Sequence, residues 1–262
     1  MIAIFDLDYT LTQRGTWGRF VWRCVRRRPW FWLPLLVETA RDQIAYKRGL
    51  RPRGAVKQSM LRWSLKRMRR DELERLAHDF ARREVAGGLR PGAVAALAHH
   101  RARGDTLIIA SAAVDLVAAP IADALGVEHL VCTELNWNSD RLRGCFANGN
   151  CYGTAKREAV QAYLAAHGWS DQPSVFYTDS QADFPMVDLA TATIVVDPKP
   201  RTLVAANALG LPVQSWGVCP KGFEAPSCAP PEPALKREAC AMRSDGDAAP
   251  IFSKAGSPLR DR

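Results

Sequence analysis

Short apolar runs recur along the chain and alternate with segments that have a helical period. The runs lie at residues 2–6, 106–110, 129–133, 174–178 and 193–196. Each has the length of a strand, and an unbroken apolar run is typical of a strand that is buried on both faces of a parallel sheet. Strands that alternate with helices predict an α/β domain with a parallel sheet.

Residues 16–87 are predicted to be helical. Apolar residues recur there at spacings of three and four, as in Phe20, Val21 and Cys24. This spacing places them on one face of a helix. The pattern also predicts helices at 91–103, 114–125 and 156–167, between the predicted strands.

The net charge is unevenly distributed. The chain has 36 Lys and Arg against 27 Asp and Glu, a formal charge of +9. Residues 13–87 hold 20 basic and 7 acidic residues, so this segment is more positive than the whole chain. Five of the eight tryptophans also lie there. A shift in composition of this kind predicts a separate unit inserted into the α/β domain.

These patterns divide the chain into three parts. We expect residues 1–12 and 88–217 to form the α/β core and residues 13–87 to form the inserted helical unit. Residues 218–262 are rich in proline and have no sustained period, so we expect a disordered tail.

Composition limits the classes of protein. The sequence has no uninterrupted stretch of about 18 apolar residues, so we expect no membrane-spanning helix. The first residues do not resemble a secretory signal. Seven cysteines without a CxxC pair predict reduced thiols in a cytoplasmic protein. His99 and His100 lie on a predicted helix with basic residues, and we expect both to face solvent.

Polar residues follow three of the predicted strands. They are Asp6, Asp8 and Thr10 after the first strand, Ser111 and Ala112 after the second, and Asp179 and Asp183 after the fourth. Ligands of open parallel sheets bind at the carboxyl ends of the strands, so we expect these residues to share one site. Lys156, at the start of a predicted helix, can reach the same edge.

This set of residues has a consistent chemistry. Clustered carboxylates need a cation, and the oxygens of Asp6, Asp8 and Asp179 suit Mg²⁺ with several waters. Ser111 and the amides that follow it would hold phosphate oxygens, and Lys156 would neutralise charge in the transition state. One carboxylate can attack phosphorus to give an aspartyl-phosphate. A second can protonate the leaving oxygen and later activate water.

The motifs Asp6-Leu-Asp8-Tyr-Thr10, Ser111, Lys156 and Asp179-Ser-Gln-Ala-Asp183 resemble the four motifs of the haloacid dehalogenase (HAD) superfamily. The resemblance covers roughly residues 1–217 and implies a Rossmann-like, doubly wound core. The helical insert resembles the cap of the subclass that includes phosphoserine phosphatase. Arg90-Pro-Gly92 is similar to a motif of its IB hydrolase branch.

The resemblance also implies roles. Asp6 would be the nucleophile and Asp8 the general acid and base. Asp6, the backbone carbonyl of Asp8 and Asp179 would bind the metal, and Asp183 would orient its waters and Lys156. The phosphoryl group would be positioned by Thr10, Ser111, Ala112 and Lys156.

Two details narrow the expected activity. Dehalogenating members of the superfamily lack an acid at the position of Asp8, so its presence favours phosphoester hydrolysis. Phosphoserine phosphatases resemble one another in a Glu shortly after the first motif, but residues 13–17 contain no acid. We therefore expect a small phosphorylated metabolite other than phosphoserine.

The basic, tryptophan-rich cap leaves several interpretations open. It can be a packed helical cap with solvated arginines, or a funnel that steers anionic substrates inward. Arg26-Arg-Arg28 precedes the apolar run 30–37, which is also typical of contact with an anionic membrane surface. In that case the substrate is a lipid head-group phosphate such as phosphatidylglycerophosphate. A non-catalytic module that binds membrane or nucleic acid is the competing class, and we expect no specific nucleic-acid recognition.

Overall fold

The computed structural model describes residues 1–26, 30, 32–66 and 68–217. The predicted tail at 218–262 and the basic residues 27 and 28 lie outside these ranges. The strands are β1 (Ile2–Phe5), β2 (Thr106–Val114), β3 (His129–Thr133), β4 (Leu135–Asn138), β5 (Arg141–Phe146), β6 (Ser174–Thr178), β7 (Ala192–Val196) and β8 (Val213–Gln214). The helices are α1 (Thr16–Val25), α2 (Trp32–Lys47), α3 (Arg53–Ser64), α4 (Arg70–Gly87), α5 (Pro91–Ala102), α6 (Asp115–Ala124), α7 (Thr154–Ala166) and α8 (Pro200–Ala208).

Six strands form one parallel sheet in the order β3-β2-β1-β6-β7-β8. Strand β1 lies inside the sheet and pairs in parallel with β2 and β6. All four of its side chains are completely buried, because helices cover both faces of the sheet. The predicted Rossmann-like α/β fold is thus confirmed.

Strand β2 runs further than its apolar run predicts. We expected it to end at residue 110, but it continues to Val114, and its pairing with β3 is irregular between Ala110 and Val114. Ser111 and Ala112 therefore lie within an irregular end of the strand and not in a separate loop. Two further short elements, α8 and β8, were not predicted from the sequence.

An antiparallel hairpin, β4–β5, was also missed by the sequence analysis. Ser139 at its turn has a positive φ of 52°. The hairpin packs on α3, where a Cβ at Gly54 would lie 3.3 Å from the Phe146 ring. Leu142 is buried in the same hydrophobic core as Leu61, so the hairpin contributes to the surface on which the helical insert rests.

The segments that lead into and out of the insert run side by side. Thr12 and Leu89 form an antiparallel bridge, and the amide of Gln13 donates to the carbonyl of Gly88 at 2.8 Å. The chain leaves the core and returns to it through this paired linker. These contacts support the predicted division at residues 12–13 and 87–88, which we retain as a proposal.

Trp216 anchors the end of the described chain to the core. Its side chain is completely buried and packs on the ring of Tyr177, with a centroid separation of 5.2 Å. A Cβ at Gly92 would lie 2.4 Å from the indole, so only glycine fits at this position of α5. Asp197 accepts a hydrogen bond from the Trp216 amide at 3.0 Å.

Candidate active site

The carboxyl ends of β1, β2 and β6 bring the predicted site residues to one edge of the sheet. Asp6 follows β1 directly, and its amide donates to the carbonyl of Tyr177 in β6 at 2.9 Å. Asp179 follows β6 in the same way. Register between the two strands therefore places their terminal acids next to each other.

Lys156 lies at the centre of the site. Its side chain is only 1% exposed, and its ammonium group donates to Asp6 Oδ1 at 2.8 Å and to Asp183 Oδ2 at 2.8 Å. Gly153 has a φ of +61°, a conformation that favours glycine, and it starts helix α7 so that Lys156 points back to the sheet edge. Burial lowers the pKa of Lys156, but its two carboxylates have the larger combined effect and raise it above the ordinary value.

Asp183 holds the other side of this ammonium group. Its Oδ2 also accepts a hydrogen bond from the hydroxyl of Thr178 at 2.9 Å. Asp183 lies in the 3₁₀-helix Gln181–Met186, whose first turn is capped by the side chain of Ser180. The position agrees with the predicted role of orienting Lys156.

Thr10 connects the two acids at the strand ends. Its buried hydroxyl donates to Asp6 Oδ2 at 3.4 Å and accepts from the amide of Asp179 at 3.0 Å. These contacts are made within the protein, so the structure gives Thr10 a place in holding Asp6. Its predicted contact with the phosphoryl group stays a prediction.

Asp8 points in a different direction from Asp6. Its Oδ1 accepts hydrogen bonds from the amide of Thr16 at 2.8 Å and from the hydroxyl of Thr16 at 2.7 Å. Asp6 directly precedes a single turn at Leu7–Leu11 and Asp8 lies within it, and Tyr9 in the same turn has a positive φ of 64°. The two carboxylates therefore occupy different positions and can have different roles.

Ser111 and Ala112 lie at the irregular end of β2. The Ser111 hydroxyl accepts a hydrogen bond from the amide of Ala113 at 3.1 Å. The carbonyl of Ala112 accepts from the hydroxyl of Thr133 at 3.0 Å and from the ammonium of Lys57 in α3. Lys57 also donates to Asn150 Oδ1 at 3.2 Å.

Sequence reasoning missed Lys57, since one basic residue among the 20 of residues 13–87 has no distinguishing signal. It also assigned no role to Arg90, although the motif that contains this residue was noted. The Arg90 side chain donates to the carbonyl of Tyr9 at 2.9 Å and pairs with Asp197 at 2.6 Å. This contact fixes the backbone of the turn between Asp8 and Thr10.

Burial and the charge of neighbouring acids raise the pKa values of Asp6 and Asp179. Desolvation raises the pKa of Asp6 to about 7, although Lys156 lowers it. Desolvation and the charge of Asp183 raise the pKa of Asp179 to about 6. Both carboxylates would be stabilised in the ionised form by a further cation.

The donor set of this site suits Mg²⁺. Asp6 and Asp179 are buried carboxylates whose ionised forms are disfavoured by desolvation and neighbouring acids. No group of three or more His, Cys, Asp and Glu side chains converges as a metal site within the residues that the structure describes. The predicted ligand set needs only two carboxylates, with the backbone carbonyl of Asp8 and waters as the remaining oxygens.

Comparison with known proteins identifies the class. Residues 3–188 match the family model described as haloacid dehalogenase-like hydrolase. Protein CicA of Caulobacter vibrioides is 30% identical over 192 residues, which cover 72% of this chain and 83% of that protein.

Solved structures share the fold. A protein with unknown function from Bordetella pertussis Tohama I has a TM-score of 0.70 at 29% identity, over 81% of this chain and 96% of that chain. A substrate-bound phosphoserine phosphatase has a TM-score of 0.58 at 16% identity, over 82% of this chain and 93% of that chain.

The family match defines a hydrolase, and its α/β fold is the one that phosphoserine phosphatases have. The chain belongs to the haloacid dehalogenase-like hydrolase family. The family is one of hydrolases, which agrees with the enzyme class predicted from the two acids of the first motif.

Proposed function

We propose that this protein is a Mg²⁺-dependent phosphatase that acts on a small organic phosphate through an aspartyl-phosphate at Asp6. The observation that carries the proposal is the placement of Lys156 between Asp6 and Asp183, 2.8 Å from each. A buried lysine shared in this way opposes the effect of burial by favouring the ionised form of the nucleophilic carboxylate, and it leaves positive charge where a phosphoryl group would arrive.

Asp6 Oδ2 is the atom best suited to attack phosphorus. Oδ1 accepts from Lys156 at 2.8 Å, whereas among the described residues Oδ2 accepts only the longer 3.4 Å bond from Thr10. Attack forms the bond from Oδ2 to phosphorus and breaks the bond from phosphorus to the ester oxygen. Water then attacks phosphorus, releases inorganic phosphate and regenerates the carboxylate.

Asp8 would move the protons of both steps. It gives a proton to the ester oxygen as that oxygen leaves, and it takes a proton from the attacking water in the second step. Asp8 accepts its two hydrogen bonds from Thr16, whereas the Lys156 ammonium donates to Asp6 and Asp183. Asp6 and Asp8 can therefore serve as nucleophile and acid without competing for one cation.

Asp6, Asp179 and the backbone carbonyl of Asp8 are the groups that would hold Mg²⁺. The bound ion would supply charge neutralisation for the phosphoryl oxygens and for the two carboxylates. Asp183 keeps Lys156 in place beside them, and Ser111 and Ala112 remain the proposed contacts of the phosphoryl group.

The substrate class is narrowed by the residues around the site. Asp6 and Asp179 are at most 9% exposed, which favours a small phosphoester over a bulky one. Gln13 donates its amide to the carbonyl of Leu89 at 2.9 Å and so belongs to the paired linker. Because the Gln13 side chain is used in this contact, it supports the interpretation that this chain does not bind the amine of phosphoserine. A lipid head-group phosphate is the second candidate, favoured by an exposed apolar face of the cap described below.

The test is phosphate release from an aryl phosphate by the wild type and by the Asp6→Asn variant. We expect the variant to lose measurable turnover while its circular dichroism spectrum is unchanged. EDTA should silence the wild type and Mg²⁺ should restore it. Wild-type turnover by Asp6→Asn would rule out the nucleophile, and a catalytically silent wild type across a broad phosphoester screen would favour the non-catalytic binding module.

A further inference from the structure

Helix α1 presents a basic stripe to solvent that the catalytic proposal does not use. Residues Gly18, Arg19, Trp22, Arg23 and Arg26 line one side of a groove, and Phe80, Arg83 and Glu84 of α4 line the other. The groove has a volume of about 450 Å³. Because α1 begins at Thr16, beside Asp8, the groove extends about 15 Å away from the catalytic edge, at 1.5 Å per residue.

The charges in this groove are unbalanced. Glu84 is buried and forms a two-point ion pair with Arg19, one of whose bonds measures 2.5 Å. Within the described ranges, no acidic side chain pairs with Arg23, Arg26 or Arg83. Among the same residues, the buried Nε of Arg23 has no hydrogen-bond partner. The groove therefore presents three uncompensated guanidinium groups.

An apolar surface adjoins the groove. Trp22 makes an edge contact with Trp32 at the start of α2, with ring centroids 4.2 Å apart. From there the outer face of α2 exposes large apolar side chains. They are Leu33 at 73%, Leu36 at 61%, Val37 at 55% and Ile44 at 50%, with Trp30 just before the helix at 87%.

Helix α2 is held with this apolar face outward by a polar contact on its inner face. Asp42 is 1% exposed, and it accepts hydrogen bonds from Arg51 at 2.6 Å and from the hydroxyl of Ser59 in α3. A surface helix ordinarily turns its apolar side inward. The inverted arrangement indicates that the outer face of α2 has an external partner.

We propose that the arginine groove and the outer face of α2 together bind the surface of an anionic phospholipid bilayer. Guanidinium groups would contact lipid phosphates, and the exposed tryptophan and leucine side chains would enter the interface. A second copy of this chain is disfavoured as the occupant, because two caps of high positive charge would face each other. Nucleic acid would leave the leucines in contact with water.

Membrane binding through this surface would bring the catalytic edge close to lipid head groups. This consequence rests on the proposed phosphatase activity. No helix in the described ranges is long and apolar enough to cross a bilayer, so the contact would be made from one side. Binding would hold the catalytic edge about one length of α1, roughly 15 Å, from the lipid head groups. Phosphoesters of the membrane surface are concentrated there.

The experiment is co-sedimentation with vesicles of phosphatidylcholine alone and of phosphatidylcholine with phosphatidylglycerol. We expect binding only to the anionic vesicles, and weaker binding as salt rises. An arginine near such a surface contributes about fivefold in affinity. The triple variant Arg23→Gln, Arg26→Gln and Arg83→Gln should therefore lose roughly a hundredfold.

Two further variants separate the parts of the surface. A control with equal loss of charge, Arg75→Gln, Arg143→Gln and Arg201→Gln, changes three exposed positions that do not line the groove and should bind almost as the wild type. Leu33→Ser with Leu36→Ser should weaken binding to anionic vesicles without changing the net charge.

Several results would overturn the proposal. These are no sedimentation with anionic vesicles, equal loss in the control variant, or tight binding of single-stranded DNA through the same arginines without vesicle binding. A dimer in light scattering that is abolished by Leu33→Ser with Leu36→Ser would assign the face to a second copy. Because the readout is binding, a failure here is distinguishable from a loss of phosphatase activity.

Discussion

The carboxylate of Asp8 accepts two hydrogen bonds from Thr16, one from its amide and one from its hydroxyl, at 2.8 and 2.7 Å. Thr16 is the first residue of α1, the first helix of the proposed insert. The proposed acid and base of the reaction is therefore positioned by the cap, whereas the nucleophile Asp6 is positioned by core residues alone. We therefore expect a movement of α1 to affect proton transfer by Asp8 more directly than attack by Asp6.

Replacement of Thr16 tests this connection. Thr16→Val removes the hydroxyl donor and retains the amide, so we expect the turnover number to fall roughly tenfold to a hundredfold while the fold is preserved. Thr16→Ser keeps the hydroxyl and should stay near wild-type activity. Steady-state kinetics with an alkyl phosphate, whose poor leaving group needs protonation, is the measurement.

An aryl phosphate with a good leaving group provides the second arm of that test. Its ester oxygen needs less protonation, so formation of the phosphoenzyme should be less affected by Thr16→Val than with the alkyl phosphate. Equal losses with both substrates would show that Thr16 affects the site through structure and not through Asp8.

Loss of the buried cation should be costly for stability. Lys156→Met has a similar volume but leaves Asp6 and Asp183 buried without their shared partner. We expect the free energy of unfolding at neutral pH to fall by about 3–5 kcal/mol, measured by urea denaturation. The double variant Lys156→Met with Asp183→Asn should regain part of this loss. No recovery would mean that the two charges are not coupled as the 2.8 Å contacts indicate.

The raised pKa of Asp6 makes stability depend on pH in a defined direction. The pKa is about 7 in the folded protein and 3.8 without the fold. The folded state then binds more protons between these values, so the stability of the metal-free protein should decrease as pH rises through this window. Mg²⁺ binds the ionised carboxylate and should raise the melting temperature more at about pH 8 than at about pH 5.5.

Asp6→Asn is the matched control for that titration. It should flatten the pH dependence of the metal-free protein and reduce the stabilisation by Mg²⁺. A wild-type melting temperature that responds equally to Mg²⁺ at both pH values would contradict the assignment of Asp6 as a ligand that competes with protons.

Trp216 anchors the end of the described chain in the core. A chain that ends after Trp216 should keep both its catalytic activity and its melting temperature, whereas Trp216→Ala should lose about 3–5 kcal/mol, because the indole fills the space between Gly92 and Tyr177. Gly92→Ala should also destabilise the protein, by about 1–3 kcal/mol. Thermal and urea unfolding measure all three. Unchanged stability of Trp216→Ala would contradict its place in the core.

The fold and the acids at the strand ends could be predicted because both follow from local pattern. Buried parallel strands have continuous apolar runs, and their carboxyl ends share one edge, so Asp6 and Asp179 could be placed together without a structure. The hairpin of β4 and β5 escaped prediction because its strands are short and their packing partner, α3, is distant in sequence.

Residues whose roles depend on long-range packing were also out of reach. His100 was expected to face solvent, but it is completely buried between Asp105 and the hydroxyl of Tyr177, at 2.8 and 3.0 Å. That expectation was wrong because the burial of His100 depends on its contact with Tyr177 in β6, which is distant in sequence, and the exposed basic neighbours of His100 give no sign of that contact. Thr16 and Lys57 acquire their contacts only when the cap is placed on the core.

The most direct measurement of the central claim is the mass of the enzyme after acid quenching during turnover of an aryl phosphate. In the Asp8→Asn variant, attack on a good leaving group should proceed while hydrolysis of the intermediate is slowed. We predict one added phosphoryl group on the peptide that contains Asp6, absent when Asp6 is also replaced by Asn. Steady release of phosphate without any adduct on that peptide, or an adduct that survives replacement of Asp6, would contradict the account.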